Sequence, residues 1–189
     1  MITDSDGRTW FAGIDLLLDD GLVRQYSLCG DRRDAHRYRI AVRRIPNGGG
    51  GSVEVHETLH VGATVTVKGP RNGMPMAVPG HGSSAEHLRF VAGGIGITPI
   101  LPMVREAHAR GLDWRLVYTG RSRATMPFLD ELLALDGDRV RVHTDDVDGP
   151  PDIADVLGIG IGSDREAGPI YLCGPSSMLA AARQLVMER

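Results

Sequence analysis

Halfway along this chain of 189 residues an apolar run breaks on glycines and resumes with a different period. The stretch is Phe90-Val91-Ala92-Gly93-Gly94-Ile95-Gly96-Ile97-Thr98-Pro99, followed by Ile100, Leu101, Met103 and Val104 at helical spacing. It reads as strand, tight turn and helix. Gly93, Gly94 and Gly96 carry no Cβ, so an anion can approach the backbone there. The first amides of the helix and the positive end of its dipole point at the same place. Pro99 suits the first helical position, where no amide donor is needed. A glycine-rich turn of this kind also occurs with no ligand, so the rest of the chain has to decide between the two.

The residues after this turn alternate strand and helix. Strands are expected at 88–92, 114–118, 140–143 and 170–172, and helices at 99–109, 127–135, 153–157 and 176–187. That order predicts an α/β domain with a parallel sheet covered on both faces. Ligands of such sheets bind at the carboxyl ends of strands. Three of those ends carry glycine beside a small or basic polar group: residues 93–98, residues 120–122 with Arg121 and Ser122, and Cys173-Gly174-Pro175. A phosphorylated ligand lying across the sheet edge needs such groups, and a dinucleotide is favoured over a bare turn. In the last helix Met178, Leu179, Ala182, Leu185 and Val186 are read as one core-facing stripe.

The first half has another texture. Short strands are expected at residues 14–18, 22–28, 38–44 and 63–68, separated by turns at Asp19-Asp20-Gly21 and Asn47-Gly48, with no sustained helical period. This predicts an antiparallel β-barrel. A stretch rich in Pro and Gly, residues 70–84, separates the halves, so domains are expected at 1–84 and 85–189.

Composition excludes several classes. A net charge of -3 with scattered basic residues carries no footprint for nucleic acid. No apolar stretch reaches membrane-spanning length, and the leader with Asp4, Asp6 and Arg8 lacks the apolar core of a signal peptide, so a cytoplasmic location is expected. Cys29 and Cys173 stand far apart with no CxxC spacing, so this chain's own thiols build neither a zinc site nor an iron-sulfur cluster. His56 and His60 lack a third ligand nearby and are read as loop residues. Asp145, Asp146 and Asp148 lack the remainder of a calcium loop and are read as a solvated turn. No metal site is expected.

The ordered set Arg24-Gln25-Tyr26-Ser27-Leu28-Cys29, residues 48–52, residues 93–99 and Cys173-Gly174-Pro175 resembles the ferredoxin-NADP reductase superfamily, in particular reductases of the phthalate dioxygenase and vanillate demethylase type. The resemblance runs from Gly21 to the end of the chain. It implies a flavin domain that binds FMN, followed by a domain that binds NADH, with NADPH less favoured, and electron delivery to a ferredoxin or an oxygenase component. Carried over by position, Arg24 holds the flavin phosphate, Tyr26 stacks on the ring, and Ser27 bonds near the nitrogen that accepts the hydride. Gln25 belongs to the same motif. Ala41, Val42 and Arg43 line the flavin through backbone groups, while Gly49, Gly50, Gly51 and Ser52 cradle its phosphate. Gly94, Gly96, Ile97 and Pro99 surround the nucleotide pyrophosphate. Thr98 falls where the two cofactors meet, Arg121 and Ser122 contact the adenosine side, and Cys173, Gly174 and Pro175 flank the nicotinamide.

Ser27, Thr98 and Cys173 are therefore the residues expected nearest the reacting atoms. No general base is required, because a hydride passes between stacked rings and the protein supplies orientation. The chain departs from the family's pattern in three ways. By the resemblance, about two barrel strands would precede the equivalent of Trp10, an arginine would stand in place of Gly49, and a last strand and a 2Fe-2S ferredoxin domain would follow Arg189. The alternative is a flavin-free subunit that docks on an oxygenase or senses NADH. A Rossmann dehydrogenase is disfavoured, since no acidic residue suits a ribose about twenty positions past the glycines.

Overall fold

The first structural unit is organised by a single strand with neighbours on both edges. In the computed structural model, which describes residues 12–19, 21–34, 36–77, 87–159 and 168–188, β1 (Ala12–Leu17) pairs antiparallel with β2 (Val23–Ser27) and with β3 (Thr66–Asn72). The strand order is β2-β1-β3. Leu18 N–H donates to Leu22 O and Gly21 adopts φ +73°, which closes the turn into β2. Ile14 and Leu16 sit in the core opposite Tyr26 and Arg24 of β2, joined there by Leu18, Cys29 and Met76.

Residues 70–72, expected to open the linker, instead end β3, and two further expectations for this unit change. Residues 38–44 form no strand ladder, and residues Gly51–Thr58 form a helix, α1, where none was read. One explains the other. The extended segment spends its backbone groups on helix side chains: Ile45 N–H donates to Ser52 Oγ at 3.0 Å and His56 Nε2 meets Val42 O at 2.8 Å. Glu54 of α1 accepts the Asp19 amide at 2.8 Å. The helix Gly-Ser-Val-Glu-Val-His-Glu-Thr has little apolar periodicity because polar bonds, not an apolar stripe, hold it in place. Among the described residues the expected antiparallel barrel is represented by a three-stranded sheet and this helix.

The second unit holds a parallel sheet in the order β6-β5-β4-β7, from β4 (His87–Gly93), β5 (Asp113–Gly120), β6 (Val140–Thr144) and β7 (Ile170–Cys173). One face is covered by α2 (Ile97–Ala109), whose Ile100, Leu101, Met103 and Val104 are fully buried. Beside it α3 (Leu129–Asp136) contacts both α2 and β6 and buries Leu129 and Leu132. A one-turn helix, α4 (Asp145–Asp148), leaves β6 and takes up the expected acidic turn. On the other face α5 (Ile153–Val156) and α6 (Ser176–Met187) pack Val156, Met178 and Ala182 against Val91, with Val117 and Leu172 alongside. Leu179 and Val186, expected in that stripe, are exposed. The core-facing set is the buried Met178 and Ala182 with the half-buried Leu185, at i, i+4 and i+7, and residues one step further round turn to solvent.

The two units divide at Met1–Met76 and Ala77–Arg189. The boundary expected near Ser84 lies outside the described residues, as does the leader before Ala12. No helix among the described residues is long and apolar enough to cross a membrane.

Among the described residues Asp15 is the one buried carboxylate of the first sheet. It lies on the opposite face of β1 from Ile14 and Leu16, and accepts hydrogen bonds from the side chains of Arg71 on β3 and Gln25 on β2. The Arg71 bond, ahead of the opposing effect of burial, holds its carboxyl below the usual 3.8. A lowered folded value means that this stabilisation is complete above the unfolded value and is lost as pH falls through the folded one. Asp15→Asn is therefore expected to flatten the acid limb of the stability profile, so that its thermal midpoint falls less than the parent's between about pH 5 and about pH 2. Equal falls would contradict the assignment.

Candidate functional site

Each unit carries one seat built from glycines. In the first, residues 25 positions apart meet. Arg24, half-buried on β2, donates from Nη2 to Gly49 O at 2.6 Å and from Nη1 to Val23 O at 3.1 Å. Gly50 precedes α1 with φ +79°. A Cβ on Gly51 would lie 2.7 Å from Arg24 Cγ and Nε, and one on Gly49 would lie 3.2 Å from Arg24 Nη2. The glycines thus let a guanidinium lie along the entry to a helix N-terminus, where the Gly51 amide donates to Gly49 O at 3.0 Å and the Val53 amide to Gly50 O at 2.9 Å. A cation beside the positive end of a helix is a candidate anion seat. Its chemistry fits a phosphate, which a planar guanidinium fork matches.

Tyr26 lies on the same face of β2 as Arg24, half-buried, and burial raises its hydroxyl above the ordinary value while Arg24 opposes the rise. Ser27 ends the strand opposite Gly13. Gln25 points to the other face, where it bonds Asp15, so the structure does not bring it to Arg24 and Gly49. Ala41, Val42 and Arg43 lie on the extended segment tied to α1 through Val42 and Ile45, and Ser52 receives the Ile45 amide.

In the second unit the seat lies at the carboxyl ends of β4 and β7. Chain order reverses between these strands, since β5 and β6 lie to one side of β4 and β7 to the other. Open α/β sheets bind ligands at such a switch point. The turn after β4 is one 3₁₀ turn, Gly94–Gly96, leading straight into α2. A Cβ on Gly93 would lie 2.7 Å from Pro175 Cδ and 3.0 Å from Met178 Sδ, and one on Gly174 would lie 2.7 Å from the same sulfur. A Cβ on Gly96 would fall onto the Cys173 carbonyl and 2.7 Å from Gly174 N. The two turns touch backbone to backbone. Gly94, with φ +53°, has open space around its missing side chain.

Helix α2 begins at Ile97, so Pro99 is its third residue and not its first. The reason is the 3₁₀ turn, which starts the helical path two residues early. Position three still needs no intrahelical donor. Ile97 and Thr98 are buried, and Thr98 Oγ1 donates to Ile95 O at 3.1 Å, turning the hydroxyl back onto the turn. Cys173 is half-buried, and burial, opposed by the Gly174 amide, pushes its thiol up, so it stays neutral. Arg121 and Ser122 follow β5. Arg121 O accepts the Asp146 amide at 3.1 Å, and Ser122 caps a short turn with Thr125.

Sequence reasoning passed over Tyr118 and Met126. Tyr118 is fully buried on β5 and its hydroxyl lies 3.1 Å from Gly94 O and 3.0 Å from Pro127 O. A Cβ on Gly120 would lie within van der Waals radius of Met126, 2.9 Å from its sulfur. The available signal was a hydroxyl on an otherwise apolar strand, which must find a partner when buried. Among the described residues no cluster of three or more His, Cys, Asp or Glu is arranged to hold a metal.

A three-stranded antiparallel unit followed by a doubly wound α/β unit with a glycine seat at its switch point defines the ferredoxin reductase-like class. Over about nine-tenths of its length the chain is homologous to the oxygenase reductases of the ferredoxin-NADP reductase superfamily. It is 42% identical to phenoxybenzoate dioxygenase subunit beta from Ectopseudomonas oleovorans over 170 residues, 90% of this chain and 50% of that one. To phthalate dioxygenase reductase from Burkholderia cepacia it is 35% identical, covering 92% of this chain and 52% of the relative. The solved structure of a phthalate dioxygenase reductase superposes with a TM-score of 0.78 at 34% identity, over 98% of this chain and 58% of that one. The chain spans about half the length of these curated relatives. No protein-family model matches it.

Gly96→Ala is expected to lose about 1–3 kcal/mol, the usual cost of forcing an atom into a packed site. Gly137→Ala, at an ordinary φ with nothing within 4 Å of the new atom, serves as the control and is expected to be neutral or slightly stabilising. Urea denaturation of both variants checks this, and equal midpoints would contradict the close approach of the two turns.

Proposed function

We propose that this chain takes electrons from NADH onto FMN and passes them singly to an iron-sulfur or haem partner of an oxygenase. The observation that carries the proposal is the presence of two glycine-built anion seats, one per unit, in a chain homologous to oxygenase reductases. The related phthalate dioxygenase reductase is a modular structure for electron transfer from pyridine nucleotides to a 2Fe-2S centre, which supports the same direction of flow here. A flavin, when bound, supplies the conversion between a two-electron hydride donor and one-electron acceptors.

The chain's own residues do the holding. Arg24 and the amides at the start of α1 take the flavin phosphate, Tyr26 offers an aromatic face to the ring, and Ser27 offers a hydroxyl able to donate or accept at the ring nitrogen. In the second unit the α2 N-terminus and the glycine turn take the nucleotide pyrophosphate, while the neutral Cys173 packs beside the nicotinamide without reacting. Thr98 keeps the turn in shape through Ile95 O. Arg121 and Ser122 lie at the end of β5 for the adenosine ribose, and NADH is the donor that the resemblance favours over NADPH. The work is orientation and exclusion of water, with no protein base in the reaction.

A second reading follows from Gly49. Where the family pattern implies an arginine, this chain has a glycine whose carbonyl already engages Arg24. A seat with that charge missing favours a flavin-free subunit that senses NADH or docks on an oxygenase.

Purified chain loaded with FMN and desalted is expected to retain the flavin absorption band and to lose it on anaerobic NADH addition, faster than with NADPH. Absence of both bound flavin and reduction rules out the leading reading, and NADH binding without flavin selects the second. Arg24→Ala is expected to weaken FMN binding roughly ten- to a hundredfold, the equivalent of one charge-assisted bond of about 1.5–3 kcal/mol. Thr98→Val is expected to slow flavin reduction by NADH in stopped flow more than it loosens the flavin. The reverse order of effects would remove Thr98 from the nucleotide side.

A further inference from the structure

We infer that Tyr118 is a positioning residue for nucleotide binding: its buried hydroxyl fixes the direction of the amides that receive the pyrophosphate and ties that turn to the loop after β5. The inference rests on reading the turn after β4 as the pyrophosphate seat. Tyr118 touches no ligand in this scheme. It sits on β5 with its ring fully buried, and its hydroxyl lies between two backbone carbonyls from different loops, Gly94 O at 3.1 Å and Pro127 O at 3.0 Å.

The consequence follows from the geometry of a trans peptide. Its C=O and N–H point in opposite directions, so pinning the Gly94 carbonyl toward β5 directs the Ile95 N–H away from the sheet core, toward the mouth of the turn. Gly94 is the residue least able to hold that peptide by itself. At φ +53°, with nothing within 4 Å of its missing side chain, it has no Cβ packing to limit rotation. The Ile97 amide also donates to Gly94 O from within the helix. Tyr118 adds the bond from outside, which the turn itself cannot provide.

The second carbonyl gives the tyrosine reach. Pro127 lies just before α3, in the loop that follows Arg121 and Ser122, and this loop also packs Met126 onto Gly120. The single hydroxyl proton, shared between the two carbonyls, therefore couples the seat for the pyrophosphate to the segment expected to receive the adenosine end. Thr119 repeats the pattern on the neighbouring position, its Oγ1 donating to Ala92 O at 3.4 Å at the end of β4. Side-chain hydroxyls of β5 thus brace the carboxyl end of β4 at two successive positions.

Tyr118→Phe removes the oxygen and keeps the ring. ADP-ribose binding to the whole chain, measured by calorimetry, is expected to weaken about five- to tenfold, the loss of one neutral hydrogen bond. The KM for NADH is expected to rise by a similar factor with kcat and the FMN dissociation constant unchanged. Unchanged ADP-ribose affinity in the variant overturns the inference while leaving the nucleotide site intact. Parallel losses of FMN and ADP-ribose affinity overturn it too, because they mark a general structural role. If the parent chain binds no ADP-ribose, the nucleotide reading itself fails. Should the variant not fold, amide exchange of the parent with inorganic pyrophosphate decides: slowed exchange at Ile95 to Thr98 and also at Phe128 and Leu129 supports the coupling, and slowing at the first group alone overturns it.

Discussion

The second unit depends on the backbone of one turn lying against the backbone of another. Gly96 passes the Cys173 carbonyl with no room for a single methyl, and Gly93 and Gly174 meet across Met178 and Pro175. Three side chains are missing so that two strand ends can converge. Among the described strands the convergence falls where strand order reverses, the kind of place at which open α/β sheets bind ligands, and α2 starts from it. Even small side chains at these positions would force the two turns apart.

The first unit solves the same problem with charge in place of close backbone contact. Among its described residues Ile14, Leu16, Leu18, Cys29 and Met76 carry the buried apolar side chains. The remaining order comes from polar links, with Asp15 joining three strands through Arg71 and Gln25, and α1 holding the extended segment through Ser52 and His56. Arg24 belongs to both systems. Its stem lies beside Leu18 and Gly51, and its head meets Gly49, so the seat for an anion is also part of what keeps the turn before α1 in place. Such a site is economical and easily unsettled.

Much of the second unit is legible in the residues themselves. Glycines that interrupt an apolar run, followed by helical spacing, specify β4, the turn and α2, and alternation of strand and helix specifies the parallel sheet. What stays hidden is long-range polar bonding. Nothing local marks α1, because its residues are β-branched and polar and its stability comes from bonds to residues 42 and 45. Tyr118 reads as a core aromatic, and only the folded chain shows two carbonyls converging on its hydroxyl. Leu179 and Val186 err the other way: their spacing belongs to a helix with an apolar stripe, yet the stripe is centred on Met178 and Ala182 and leaves them in solvent.

The most direct measurement is a titration of isotope-labelled protein with ADP-ribose, followed by amide shifts in two-dimensional NMR. If the paired glycine turns form the nucleotide seat, the largest shifts fall on the amides of Gly94 to Thr98 and of Gly174 to Ser176. Shifts confined to the opposite end of the sheet, around His87, Asp113 and Arg139, or a folded chain with no shifts at saturating ligand, would contradict it.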